Sequence, residues 1–130
     1  MKTPSFDSEN FDRTTFAPIV LYNGLDRDEE DVQLHFADWA WLHGKYGETV
    51  NDYYLNGYGI EGLAMAARLN AGLDPEADTV DYDAEGDACY IYFDNLEDAI
   101  ETAQLLYDTL HDRTKLVAMI AIAQENEFGD

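Results

Sequence analysis

The stretch DTVDYDAEGDACYIYFDN, Asp78 to Asn95, interleaves carboxylates with aromatic and β-branched side chains and contains no Lys or Arg. Val80 and Tyr82, then Cys89, Ile91 and Phe93, recur at every second residue, the period of a half-buried strand. Ala84-Glu85-Gly86-Asp87 lies between the two runs and supplies a turn, so the stretch predicts a β-hairpin. If the alternating apolar residues face a core, Asp81, Asp83, Tyr90 and Tyr92 face away from it together, with Glu85 and Asp87 at the tip. Such a hairpin needs a layer of helices over its apolar face, and the rest of the chain is read for that layer.

Downstream, Asn95 is placed to cap a helix whose stripe is Leu96, Ala99, Ile100, Ala103, Leu106, Tyr107 and Leu110. Asp112 caps a last helix, Thr114 to Gln124, which is apolar almost all round and therefore predicted to be buried. Upstream, Gly59 to Gly72 carries Ile60, Leu63, Ala64 and Ala67 on one stripe, and residues 73–78 form a Pro-containing loop. Phe16 to Tyr22 reads as a strand ended by Asn23-Gly24. Asp26 to Gly44 reads as a helix capped by Asp26 or Asp28, with Val32, Phe36, Trp39 and His43 on one stripe, and Glu48 to Leu55 as a shorter helix. The expected fold is α+β: a small antiparallel sheet, made of the N-terminal strand and the central hairpin, covered by about four helices. Residues 1–15 are expected to be a polar arm and residues 16–130 a single domain.

Charge is the outlying feature of the composition. The chain carries 28 Asp plus Glu against 7 Lys plus Arg, a formal net charge of −21, yet 46% of its residues are hydrophobic, too many for a disordered acidic tail. A field of this sign repels nucleic acid and anionic membrane and speeds encounter with basic proteins. The single cysteine, Cys89, excludes an internal disulfide and fits a reducing compartment. With no leader-like apolar segment and no membrane-length apolar run, a cytoplasmic location is the expectation.

Several chemistries are weighed against these acids. Asp81-Tyr82-Asp83-Ala84-Glu85-Gly86 opens like a calcium loop, but position twelve, which needs a bidentate carboxylate, is Tyr92. His35, His43, His111 and Cys89 lack metal-ligand spacing. Cys89 alternates with Ile91 and reads as core, His43 follows the Trp39 stripe and reads as packed, and no carboxylate pair is marked out as buried. No phosphate-cradling loop or nucleophile elbow is present. The expectation is a protein with no catalytic residues, no metal and no cofactor.

The segments LNGYGIEGLAMAARLNAG (55–72) and VDYDAEGDACYIYFDNLEDAIETAQLLYDTLHD (80–112) resemble immunity protein family 51 of bacterial polymorphic toxin systems. The likeness runs over roughly residues 50–125 and rests on Asn56-Gly57-Tyr58, Asp83-Ala84-Glu85-Gly86 and the helix from Asn95 to Asp112; Gly59 and Ile60 depart from the pattern. The resemblance implies a non-enzymatic cytoplasmic protein that binds and neutralises a cognate toxin. The residues point the same way, because Leu69 to Asp112 holds 13 acids and no Lys or Arg, and basic clefts built for phosphate accept a dense anionic face. The expected partner surface is Asp81, Asp83, Glu85, Asp87, Tyr90 and Tyr92, extended by Glu97, Glu101 and Asp108 on one side of the neighbouring helix. The alternatives are a DNA-mimic inhibitor of a host nuclease or restriction enzyme, a salt-adapted domain whose acids have no partner, and an enzyme using carboxylate chemistry.

Overall fold

The computed structural model describes residues 1–27 and 29–129, Arg27 without its side chain. In chain order the elements are β1 (Phe11–Asp12), β2 (Val20–Asn23), β3 (Val32–Phe36), α1 (Trp39–Tyr46), β4 (Thr49–Val50), β5 (Tyr53–Tyr54), α2 (Gly57–Asn70), β6 (Val80–Glu85), β7 (Ala88–Phe93), α3 (Leu96–Leu110) and α4 (Arg113–Glu125), with a 3-10 turn at Gly24–Arg27. The fold is α+β. An antiparallel sheet in the order β1-β2-β3-β7-β6 packs against helices, and β4 pairs with β5 in a separate small ribbon.

The sheet is larger than the sequence reading allows, because β3 occupies part of the expected Asp26–Gly44 helix. Val32, Leu34 and Phe36 alternate with Gln33 and His35, and the three apolar residues are buried. Their helical spacing to Trp39 and His43 is also genuine, so local pattern cannot decide between the two. Tertiary pairing decides: β3 bonds to β2 on one side and to β7 on the other, which makes it the centre of the sheet. The helix begins only at Trp39, where the Asp38 carboxylate accepts from the Trp41 backbone N–H. Asp26 lies in the 3-10 turn, where it accepts from Asn23 Nδ2, and Asp28 lies outside the described residues.

Two further expectations are corrected. Thr49–Val50 and Tyr53–Tyr54 are a hairpin, not a helix, because Asn51 and Asp52 adopt left-handed backbone (φ 51° and 65°) and turn the chain tightly. The first fifteen residues are not a loose arm. Phe11–Asp12 extends the sheet edge, and the buried Asp12 carboxylate accepts from the backbone N–H groups of Ser5, Thr14 and Thr15. Burial pushes the pKa of Asp12 up, but a hydrogen bond from the Thr15 side chain together with these backbone bonds outweighs it and holds the carboxyl below its ordinary value.

One core joins the inner sheet face (Leu21, Val32, Leu34, Phe36, Cys89, Ile91, Phe93) to α2, α3 and α4. The helix buried on nearly all sides is α2, not α4, which buries only Leu116, Met119, Ile120 and Ala123. Small residues allow α2 its central place. A Cβ on Gly57 would stand 1.6 Å from the Glu85 carbonyl oxygen, so only glycine lets the helix start against the β6–β7 turn. Asn56 caps this start by accepting from the Gly59 N–H at 2.8 Å. At the other end Arg68, 2% exposed, pairs with Asp98 at 2.7 Å, donates to Thr102 at 2.8 Å and reaches the Asp74 carbonyl. It locks α2, α3 and the intervening loop together.

Candidate functional site

The helices pack against one face of the sheet. Register fixes what the other face carries. One row of directly opposed residues runs Phe11, Tyr22, Gln33, Tyr92, Asp81 across all five strands. The next runs Val20, His35, Tyr90, Asp83 across four. Apart from the exposed Asp81 and Asp83 these side chains are half-buried, and none belongs to the buried core.

The face is organised by its side chains. Phe11 and Tyr22 rings lie 4.7 Å apart, and His35 meets Tyr90 edge to face at 4.9 Å. Asp31 accepts from Gln33 Nε2 at 3.1 Å, and Gln33 Oε1 lies 2.8 Å from His35 Nε2. Burial lowers the pKa of His35 while the Asp31 charge opposes the shift. The face is polarised along its rows. Arg13, paired with Asp7, lies over Phe11 at the β1 end, whereas the β6 end presents Asp81, Asp83 and Glu85.

Beside that acidic end lies a cleft of about 400 Å³ lined by Glu30, Asp31, Asp78, Asp81, Asp94 and Tyr92. The Tyr92 phenol is pushed up by burial, and then by Asp83, Asp31, Tyr90 and Asp81, so it remains a neutral hydrogen-bond donor at physiological pH. Among the described residues, no group of three or more His, Cys, Asp or Glu is placed to hold a metal ion. Asp81, Asp83 and Glu85 lie along an extended strand, which does not wrap around an ion as a calcium loop does.

The expected site residues fall into three groups. Asp81, Asp83, Tyr90 and Tyr92 share the open face as the alternation predicts, and Glu85 continues the β6 row. Asp87 stands in the turn, where its carbonyl accepts from Trp39 Nε1 at 2.7 Å. Glu97, Glu101 and Asp108 are on α3, which packs on the covered side of the sheet, and they do not form one patch. Glu97 and Glu101 border a cleft with Arg68 and Asp98, while Asp108 accepts from Gln104 and borders another cleft with Lys115. Tyr22, Gln33, His35 and Phe11 join the face without having been expected there. The alternation of VQLHF was the available signal for two of them.

Residues off this face account for themselves structurally. His43 Nε2 lies 2.7 Å from the Leu55 carbonyl oxygen and its ring stacks on Trp39. Cys89 is wholly buried, and burial pushes its thiol pKa up, with Glu61 adding to the shift. Among the described residues, no helix is long and apolar enough to cross a membrane.

These features define an α+β protein whose antiparallel sheet has one helix-covered face and one open face, aromatic in the middle and acidic at one end. Compared with protein-family models, curated proteins and solved structures, the chain has no significant match.

Proposed function

We propose that the protein is a non-catalytic cytoplasmic immunity protein that binds a cognate bacterial toxin, a nuclease-type effector with a basic surface, through the open face of its sheet. The observation that carries this reading is the pair of cross-sheet rows, in which Tyr22 on β2 and Tyr90 and Tyr92 on β7 lead to Asp81 and Asp83 on β6. Tyrosine offers a rigid apolar ring with a polar tip, the combination that recurs in interface hot spots. Carboxylates at one end orient a basic partner, and the acidic cleft beside Tyr92 suits one of its Lys or Arg side chains.

The electrostatic and apolar parts have separable signatures. Long-range attraction is screened over about 8 Å at physiological ionic strength, so association slows with salt while dissociation changes less. The decisive experiment is alanine substitution at Tyr90, Tyr92, Asp81 and Asp83, with folding verified and protection against the cognate toxin scored in cells. Loss of protection by the tyrosine variants supports the reading. Full protection by all four folded variants at native expression removes the open face from it.

A further inference from the structure

A second cleft, of about 320 Å³, lies between the β4–β5 hairpin, the first turn of α2 and the chain after α4. It shares no residue with the open sheet face. Its walls are aromatic, supplied by Tyr53, Tyr54, Tyr58 and Phe128, and Asp52 is the acid among the described residues that line it. No Lys or Arg is among the described residues that line it.

The walls are held in place before any ligand arrives. Tyr53 is buried and its hydroxyl donates to the Gly59 carbonyl at 2.5 Å. Gln124 Nε2 donates to the Asn51 carbonyl at 2.8 Å and ties the end of α4 to the hairpin turn that presents Asp52. A Cβ on Gly59 would stand 1.9 Å from the Tyr54 carbonyl oxygen, so the hairpin and the helix meet backbone to backbone. Against this rigid base, Tyr54 is 69% exposed and Tyr58 45% exposed, among the largest apolar side chains the surface leaves in water.

Aromatic faces attract cations through their quadrupoles, and a carboxylate beside them adds a charged acceptor. A guanidinium fits both, because it is planar, stacks on rings and donates in a fixed fork. The net charge of −21 further favours a cationic occupant. We propose that this cleft binds an arginine side chain presented by a basic protein. The inference stands apart from the toxin-binding reading, since it concerns other residues and is tested without any toxin.

The probe is the pentapeptide Gly-Gly-Arg-Gly-Gly, blocked at both ends, titrated into the intact protein and followed by backbone amide NMR. A citrulline peptide, which keeps the shape and loses the charge, is the control. The expected result is saturable shifts confined to residues 51–58 and 124–129, at least about fivefold weaker for citrulline. Asp52→Asn and Tyr58→Leu should each weaken the arginine peptide by a similar factor, with dispersed spectra proving that both variants fold. Tyr58→Leu keeps apolar bulk and removes the ring together with its hydroxyl. Equal binding of citrulline, wild-type affinity in both variants, or shifts confined to the acidic end of the sheet would each overturn the proposal.

Discussion

The two faces of the sheet are made from alternate residues of the same strands, and they obey different rules. Across the covered face Leu21, Leu34 and Ile91 lie side by side and are wholly buried. One residue further along, Val20, His35 and Tyr90 lie side by side on the open face and are only half-buried. Packing accounts for the first set, since each side chain fills space that α2 and α3 leave. It does not account for the second. A pleated surface open to water accepts Thr, Lys or Val as readily as it accepts tyrosines flanked by aspartates. The partner proposed above would account for that composition.

The first way to break this contrast is to damage the covered side. Arg68→Ala should cost about 3–5 kcal/mol, because it leaves the carboxylate of Asp98 without its buried cation. Urea denaturation reads this as a lower midpoint at unchanged slope. Loss of less than about 1 kcal/mol would mean that water replaces the guanidinium and that α2, α3 and the loop hold together without it.

A sharper comparison uses neighbours on one strand. Leu34→Ala should destabilise by about 2–5 kcal/mol, the range for deleting a buried leucine side chain. Gln33→Ala, one residue away on the open face, loses hydrogen bonds to Asp31 and His35 that water replaces, and should cost below about 1 kcal/mol. Equal effects at the two positions would show that the open face is structurally committed after all.

How far the sequence reveals each face follows from the same physics. The β6–β7 hairpin was legible because its alternation is strict and its turn is marked. β3 was not, because Val32 and Phe36 satisfy a helical stripe with Trp39 as well as a strand alternation with Leu34. Only the partners that β3 finds in β2 and β7, far along the chain, separate the two. With β3 unrecognised, its open-face residues Gln33 and His35 stay hidden too. The hairpin at Asn51-Asp52 did leave a signal, since Asn and Asp tolerate left-handed backbone, but the flanking strands are only two residues each. β1 left almost none. Its anchor is Asp12, an acid that looks exposed in sequence and is buried through bonds to backbone N–H groups. The α3 acids were legible as a helical set, but where α3 packs is a tertiary fact.

Function offers the next test. On the proposed function, Tyr90→Ala should reduce affinity for the proposed toxin partner by about 2 kcal/mol, roughly thirtyfold, as a hot spot at the middle of its row. Asp83→Ala, at the end of that row, should act more weakly and mainly on the association rate. Binding and unfolding measured on the same variants separate the faces: open-face changes should move affinity and leave stability nearly fixed, and covered-face changes should do the reverse.

The smallest effect is a difference in sign. His35 on the open face has its pKa lowered, chiefly by burial and against the pull of Asp31, so folding favours its neutral form. Its contribution is therefore complete above the ordinary value of 6.5 and is lost as pH falls through the folded pKa. Glu61 on α2 is shifted the other way. Burial raises its carboxyl, Asp83 adds to the rise, and a hydrogen bond from the Ala84 backbone at the sheet edge opposes it. Its stabilising contribution is complete below the ordinary value of 4.5 and is lost as pH rises through the folded pKa. Glu61→Gln, which keeps an acceptor for Ala84, should therefore be more stable than the parent at pH 7, with the advantage shrinking as the pH is lowered. His35→Gln should instead lose part of the acid sensitivity that the parent shows just below pH 6.5. Urea midpoints across this range read both variants against the parent. If the two curves shift in the same direction with pH, the burial of one of these groups has been assigned the wrong role, and the boundary between the covered and open faces must be redrawn around it.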